Sequence, residues 1–227
     1  MPTEIAPHAA APSDPIAAAS PLITLLAAGS APAYELLAAV HRLNELFAEA
    51  DSHALAVELA GALVRAPPSA AATLLRLLVD GDALVELVVQ LLGNACVHPD
   101  GPAWLERAGV LPVLVAALRT QDALLRAHGL RLLSALADAP ALAQPLLRAG
   151  VAKLLRGLAA SPDGARRALL VADGVLRHAA RLSPAQMKQL RALLDGCDAA
   201  LLAPDDAKAL ARARGVLRAF EARAEAG

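Results

Sequence analysis

GDALVELVVQLLGNACVHPDGPAWLERAGVLPVLVAALRT (residues 81–120) and QDALLRAHGLRLLSALADAPALAQPLLRAGVAKLLRGLAA (121–160) are two versions of one unit. Asp-Ala-Leu stands near the start of both, at 82–84 and 122–124, and Ala-Gly returns at 108–109 and 149–150. A third version opens as SPDGARRALLVADGVLRHAARL (161–182). A period of about 40 residues with helical patterning throughout predicts an α-solenoid, in which each unit covers the apolar face of the next.

Working outward, the pattern predicts the helices. Asp82 caps a helix reaching about Val97, and His98-Pro99-Asp100-Gly101-Pro102 is a turn. A short helix, Ala103–Ala108, ends on Gly109, and Val110–Arg119 forms another. Gly109 and Gly150 stand where a helix must stop and reverse, which needs a backbone with positive φ. Upstream, Tyr34–Ala50, His53–Arg65 and Ser69–Leu78 read as a degenerate first unit, broken at Ala66-Pro67-Pro68. Downstream, 185–196 and 205–223 read as closing helices that cover the last apolar face with Leu190, Leu193, Leu194, Leu210, Val216 and Phe220. The expected organisation is a mobile tail over 1–32 with a short capping helix near 20–29, a repeat array over 33–182, and a cap over 183–227.

Composition agrees with an all-α fold, since Ala and Leu dominate. The only aromatics are Tyr34, Phe47, Trp104 and Phe220, too few to form a base-stacking surface for nucleic acid. Trp104 is expected to pack between short helices. The net charge of −1 hides a gradient: residues 1–100 hold eleven Asp/Glu and three Arg, residues 101–227 eleven Asp/Glu and eighteen Lys/Arg. Such polarity can steer a charged partner to one end. Cys96 and Cys197 suggest no disulfide framework, and a reducing, cytoplasmic setting is expected, with the nucleus open. Cys96 and His98 are the one close pair of potential metal ligands; no metal or other cofactor is expected. The uncharged run from Pro15 to Tyr34 follows Glu4 and Asp14 with no Lys or Arg before Arg42, unlike a secretory leader. Its prolines interrupt any membrane span, and no membrane insertion is expected.

The stretch 106–137, ERAGVLPVLVAALRTQDALLRAHGLRLLSALA, resembles an armadillo repeat. Arg107-Ala108-Gly109 with Leu111-Pro112, Arg148-Ala149-Gly150, and Leu91-Leu92-Gly93-Asn94-Ala95 at the end of a long helix carry the likeness, which covers about 53–181. The resemblance implies a right-handed superhelix of three-helix repeats whose long third helices line a concave groove. There a family asparagine holds the backbone of an extended peptide. Asn94 matches it, with Gln90 one turn earlier on the same face. In the next unit the matching position is Ala135, preceded by Arg131 and His128; in the third it is His178, with Gly174 and Arg167 behind it. The family's groove tryptophan is absent, because Gln90, Arg131 and Gly174 occupy its places. The groove implied here turns basic through Arg131, Arg167, Arg177 and His178.

These observations predict a non-catalytic scaffold or adaptor that binds another protein, with an acidic extended segment as the expected ligand, and no nucleic acid. No Gly-rich phosphate loop, Gly-x-Ser-x-Gly elbow or His-Glu-x-x-His helix occurs, and the adjacent Asp205-Asp206 suit a helix start. The closing segment 190–220 is also similar in arrangement to the small armadillo nucleotide-exchange factors of the seventy-kilodalton heat-shock chaperones, which implies a co-chaperone role as the alternative. End-to-end association of copies through the apolar ends of the array stays open.

Overall fold

A computed structural model describes residues 14–80, 85–119, 122–158, 162–197 and 202–226. All regular structure among them is helical: α1 Pro15–Ala28, α2 Ala33–Glu49, α3 His53–Val64, α4 Pro68–Asp80, α5 Val85–Ala95, α6 Gly101–Arg107 and α7 Val110–Ala117. Then follow α8 Ala123–Ala137, a 3₁₀ turn Pro140–Leu142, α9 Ala143–Ala149, α10 Val151–Leu158, α11 Pro162–His178, α12 Pro184–Asp195 and α13 Pro204–Ala226.

The helices α2, α5, α8, α11 and α13 stack on one another in that order and form one face of the molecule. A second row lies behind them, with α1 against α4, α4 against α7 and α10 against α12. Short elements bridge the rows, α3 meeting α6 and α6 meeting the turn Pro140–Leu142. The complete three-helix units are therefore α3–α5, α6–α8 and the 3₁₀ turn with α9–α11. The pairs α1–α2 and α12–α13 close the two ends.

This phasing corrects the expected first unit over 34–78. Helix α2 buries Leu36, Val40 and Leu43 almost completely and stacks on α5, so it is the last helix of a unit rather than the first. Helical spacing shows that a stripe is apolar, but not which neighbour covers it. The unit begins at α3, and Pro67-Pro68 turns the chain by 94° into α4.

The N-terminal helix is also longer than expected and belongs to the array. Asp14 accepts the Ile16 amide at 2.9 Å, and Pro15 starts α1 where its missing N–H costs nothing. Ala19 and Leu26 are fully buried, and Arg76 of α4 donates to the Gly29 carbonyl at 2.8 Å. Residues 1–13 of the expected tail lie outside the described residues.

Glycines 109 and 150 adopt φ of 74° and 91°, the left-handed turns that lead α6 into α7 and α9 into α10. The core is continuous from Ala19 to Phe220. At its C-terminal end Ser183 and Gln186 form a reciprocal cap on α12, and Gln186 also donates to the Leu147 carbonyl at 3.0 Å. Leu190, Leu193, Leu194, Leu210 and Phe220 are buried as expected, whereas Val216 is half-buried and Leu217 takes its place in the core. Trp104 is buried in this core. No single helix among the described residues is long and apolar enough to cross a membrane.

Candidate functional site

The face built by α2, α5, α8, α11 and α13 is where sequence reasoning located the groove, and its polar residues fall into two classes. One class ties the stack together. Arg212 of α13 grips Asp173 of α11 through Nε and Nη2, and Arg177 reaches the same carboxylate at 3.3 Å. Arg177 also donates to Asp138, at the end of α8, at 2.9 Å. Arg166 donates to the buried Asp206 at 2.6 Å. Both the Arg177–Asp138 and Arg212–Asp173 links span 39 residues, so the sequence period reappears as the spacing of hydrogen-bond partners on successive helices.

The expected roles of several residues are settled by these contacts and by burial. Arg177 is committed to two carboxylates and adds no free positive charge to the face. Asp205 and Asp206 both stand in the first turn of α13, as expected; Asp206 is in addition a buried partner for Arg166, while Asp205 stays at the surface, paired with Lys208. Asn94 is only 7% exposed, which removes it from the set of groove-facing side chains. It donates from Nδ2 to Asn44 Oδ1 at 3.0 Å and accepts from Arg131 Nη2 at 3.3 Å. Gly174, placed by the resemblance at a groove tryptophan site, is buried against Ala137 of α8, where a Cβ would lie 2.9 Å from the Ala137 Cβ.

The second class remains available. Arg131 and Arg167 are exposed on α8 and α11, and neither forms an ion pair among the described residues. His128, one turn before Arg131 on α8, is half-buried, and Arg131, Glu86 of α5 and Arg167 all act on its charge. Its pKa is lowered, first by burial and then by Arg131, with Glu86 opposing. Gln90 of α5 and His178 at the end of α11 are half-buried, and Ala135 contributes no polar group. A cavity of about 190 Å³ opens beside Arg167, with Leu130 and Leu158 as apolar lining and Arg126 at its side. Arg131 and Arg167 thus both act on His128, whereas Gln90 and His178 make no polar contact with them among the described residues.

Sequence reasoning missed Asn44 and Asp173. Both are polar residues within apolar helical stripes, Asn44 next to Leu43 and Asp173 next to Ala172, and both are nearly inaccessible. Such positions demand partners, and this was the available signal.

Burial disfavours the thiolate at both cysteines. Burial pushes Cys96 up to about 12, so its thiolate is scarce at neutral pH. His98 already accepts the Asp100 amide through Nδ1 at 3.1 Å, and no cluster of three potential metal ligands occurs among the described residues.

No family model matches the chain, and no curated protein matches it either. Solved structures do. A designed armadillo repeat protein superposes with a TM-score of 0.69 at 21% identity, over 88% of this chain and 82% of that one. The fold is an armadillo-like solenoid. A computationally designed set of armadillo repeat proteins for modular peptide recognition gives a TM-score of 0.68 at 19% identity, again over 88% and 82% of the two chains. A third designed armadillo protein, in complex with the peptide (KR)4, gives 0.66 at 20% identity with the same coverage. The armadillo-like architecture makes the row α2, α5, α8, α11 and α13 the row of long third helices, with α3–α5 as the first complete repeat.

The lowered pKa of His128 has a consequence for the solenoid's stability. The unfolded chain binds a proton at the ordinary value of 6.5, whereas the folded chain holds His128 neutral to lower pH. The associated stability is complete above 6.5 and is lost as pH falls through 6.5 toward the folded value. Urea midpoints measured at pH 7.5 and pH 5 should therefore differ less for His128→Gln than for the parent. An equal pH dependence in both proteins would contradict this assignment.

Proposed function

We propose that the protein is a non-catalytic interaction scaffold that holds an acidic, extended segment of a partner protein along its third-helix face. The single observation that carries this reading is the convergence of Arg131 and Arg167 on His128, with both guanidinium groups free of ion pairs among the described residues while Arg166, Arg177 and Arg212 are each committed to a carboxylate. Two guanidinium groups without a carboxylate partner, set against the single Glu86 that also acts on His128, leave this part of the face with an excess of positive charge, which favours an anionic ligand. The likeness to designed armadillo proteins made for peptide recognition supports a peptide as that ligand. One of these proteins holds the basic peptide (KR)4, and the charge of the present face calls for the opposite sign. The free, well-separated thiols suit action in the cytoplasm.

The test is fluorescence anisotropy with a labelled polyglutamate peptide at low salt, with polylysine as the control. Arg131→Glu/Arg167→Glu should weaken polyglutamate binding about tenfold or more, because each exposed charge contact contributes up to about 1 kcal/mol and both are reversed together. The variant should remain folded, its urea midpoint falling only by the cost of the lost Arg131–Asn94 hydrogen bond, about 1 kcal/mol. Unchanged polyglutamate affinity, or an equal preference for polylysine in the parent, would remove this face from the account.

A further inference from the structure

Three stacked helices share one directional hydrogen-bond chain. Asn44 of α2 donates from Nδ2 to the Leu87 carbonyl of α5 at 2.9 Å, Asn94 of α5 donates to Asn44 Oδ1 at 3.0 Å, and Arg131 of α8 donates to Asn94 Oδ1 at 3.3 Å. The direction is forced at both ends. A carbonyl can only accept and a guanidinium can only donate, so each amide between them must turn its NH₂ toward Leu87 and its oxygen toward Arg131. Both amide dipoles therefore point their negative ends at the guanidinium. Asn44 and Asn94 are 4% and 7% exposed, and in that low-dielectric setting aligned bonds reinforce one another.

The chain ends at the surface. Arg131 uses Nη2 on Asn94, and its other N–H groups have no partner among the described residues. Long arginine side chains otherwise sample many rotamers, and binding would have to arrest them at an entropic cost. We infer that Asn94, backed by Asn44, is a positioning residue that holds the Arg131 guanidinium in one orientation so that its remaining donors receive a carboxylate of the bound segment. This inference rests on the proposed peptide-binding reading. It moves Asn94 from ligand contact, the role implied by the family resemblance, to orientation of a neighbouring repeat's arginine. The carboxylate specificity of the face would then depend on the alignment of two repeats.

Two readouts test it. In the first, the nitrogen signals of the Arg131 guanidinium are recorded by NMR and assigned by their absence in Arg131→Lys. The parent should show restricted rotation of this group, and Asn94→Leu should show averaged signals. Asn94→Leu alone leaves Asn44 Oδ1 without a donor, so Asn44→Leu/Asn94→Leu is measured beside it; removing both amides avoids that orphan. In the second, the polyglutamate peptide is titrated against the parent, the double variant, Arg131→Ala, and the three substitutions combined. The double variant and Arg131→Ala should each bind about fivefold more weakly, the size of one charge contact. The combined variant should bind no more weakly than Arg131→Ala, because Asn94 acts through Arg131. Identical guanidinium signals in parent and variants would overturn the positioning role. Full loss from the double variant in the Arg131→Ala background, or no loss in the parent background, would overturn its link to the ligand. Absence of any polyglutamate binding by the parent would instead reject the proposed function, while the guanidinium signals would still decide whether Asn94 orders Arg131.

Discussion

Gly101→Ala should destabilise the solenoid by about 3 kcal/mol, near the upper end of what overpacking costs. An added Cβ at this position would sit 2.1 Å from the Ala95 carbonyl oxygen and 2.8 Å from both Ala95 C and Cys96 Cα. These are backbone atoms at the end of α5, so no side-chain rotation relieves the overlap. The conflict must move α6 away from α5, where Trp104 and Leu105 are buried with 6% and no exposure. Gly109→Ala is the matched control. It adds a Cβ with nothing within 4 Å but at φ +74°, and should cost about 1 kcal/mol from backbone strain alone. Urea denaturation of the two variants separates steric from conformational cost. A Gly101→Ala midpoint no lower than that of Gly109→Ala would contradict the packing of α6 on α5.

The fold was legible where the sequence repeats itself. Ala108-Gly109 and Ala149-Gly150 mark the same corner in successive units, and both glycines take the left-handed conformation that this corner requires. Apolar spacing also located α3 and α7 closely: it predicts His53–Arg65 and Val110–Arg119, and His53–Val64 and Val110–Ala117 form. The first unit was misphased for a physical reason. Helix α2 is as amphipathic as any helix that starts a unit, and only its burial against α5 makes it the last of one. In α1, Pro15 and Pro21 read as interruptions, yet Pro15 is a good first residue and Pro21 lies on the exposed side.

The site was less legible, because a basic residue's pairing depends on what lies one repeat away. Arg131, Arg167 and Arg177 are indistinguishable in sequence. Asp138, 39 residues before Arg177, neutralises it together with Asp173, and no carboxylate does the same for Arg167 among the described residues. Asn94 matched a groove position by alignment, but Asn44 on the preceding long helix draws it inward. Reading the sequence at its own period, with each polar residue of a long helix compared with the one about 40 residues away, would have exposed the Arg177–Asp138 and Arg212–Asp173 pairs in advance.

Removing both arginines from Asp173 should cost about 3 kcal/mol, in the range found when a buried ion pair loses one side. The carboxylate is 2% exposed and lies at the junction of α11 with α13, where Arg212 meets both of its oxygens and Arg177 adds a third contact. Neither arginine is itself buried, so removing the carboxylate instead leaves two groups that can turn to water. The asymmetry gives the test its form. Arg177→Ala/Arg212→Ala should lower the urea midpoint strongly, because it strands a buried charge on the apolar side of the junction. Adding Asp173→Leu to that pair should recover most of the loss, since a leucine there joins Ala172 and Leu176 in the core. Asp173→Leu alone should fall between the two. If the triple variant is no more stable than the arginine pair, then the arginines stabilise through their aliphatic packing on α13 and α11, and the carboxylate is not what holds the last helix to the array.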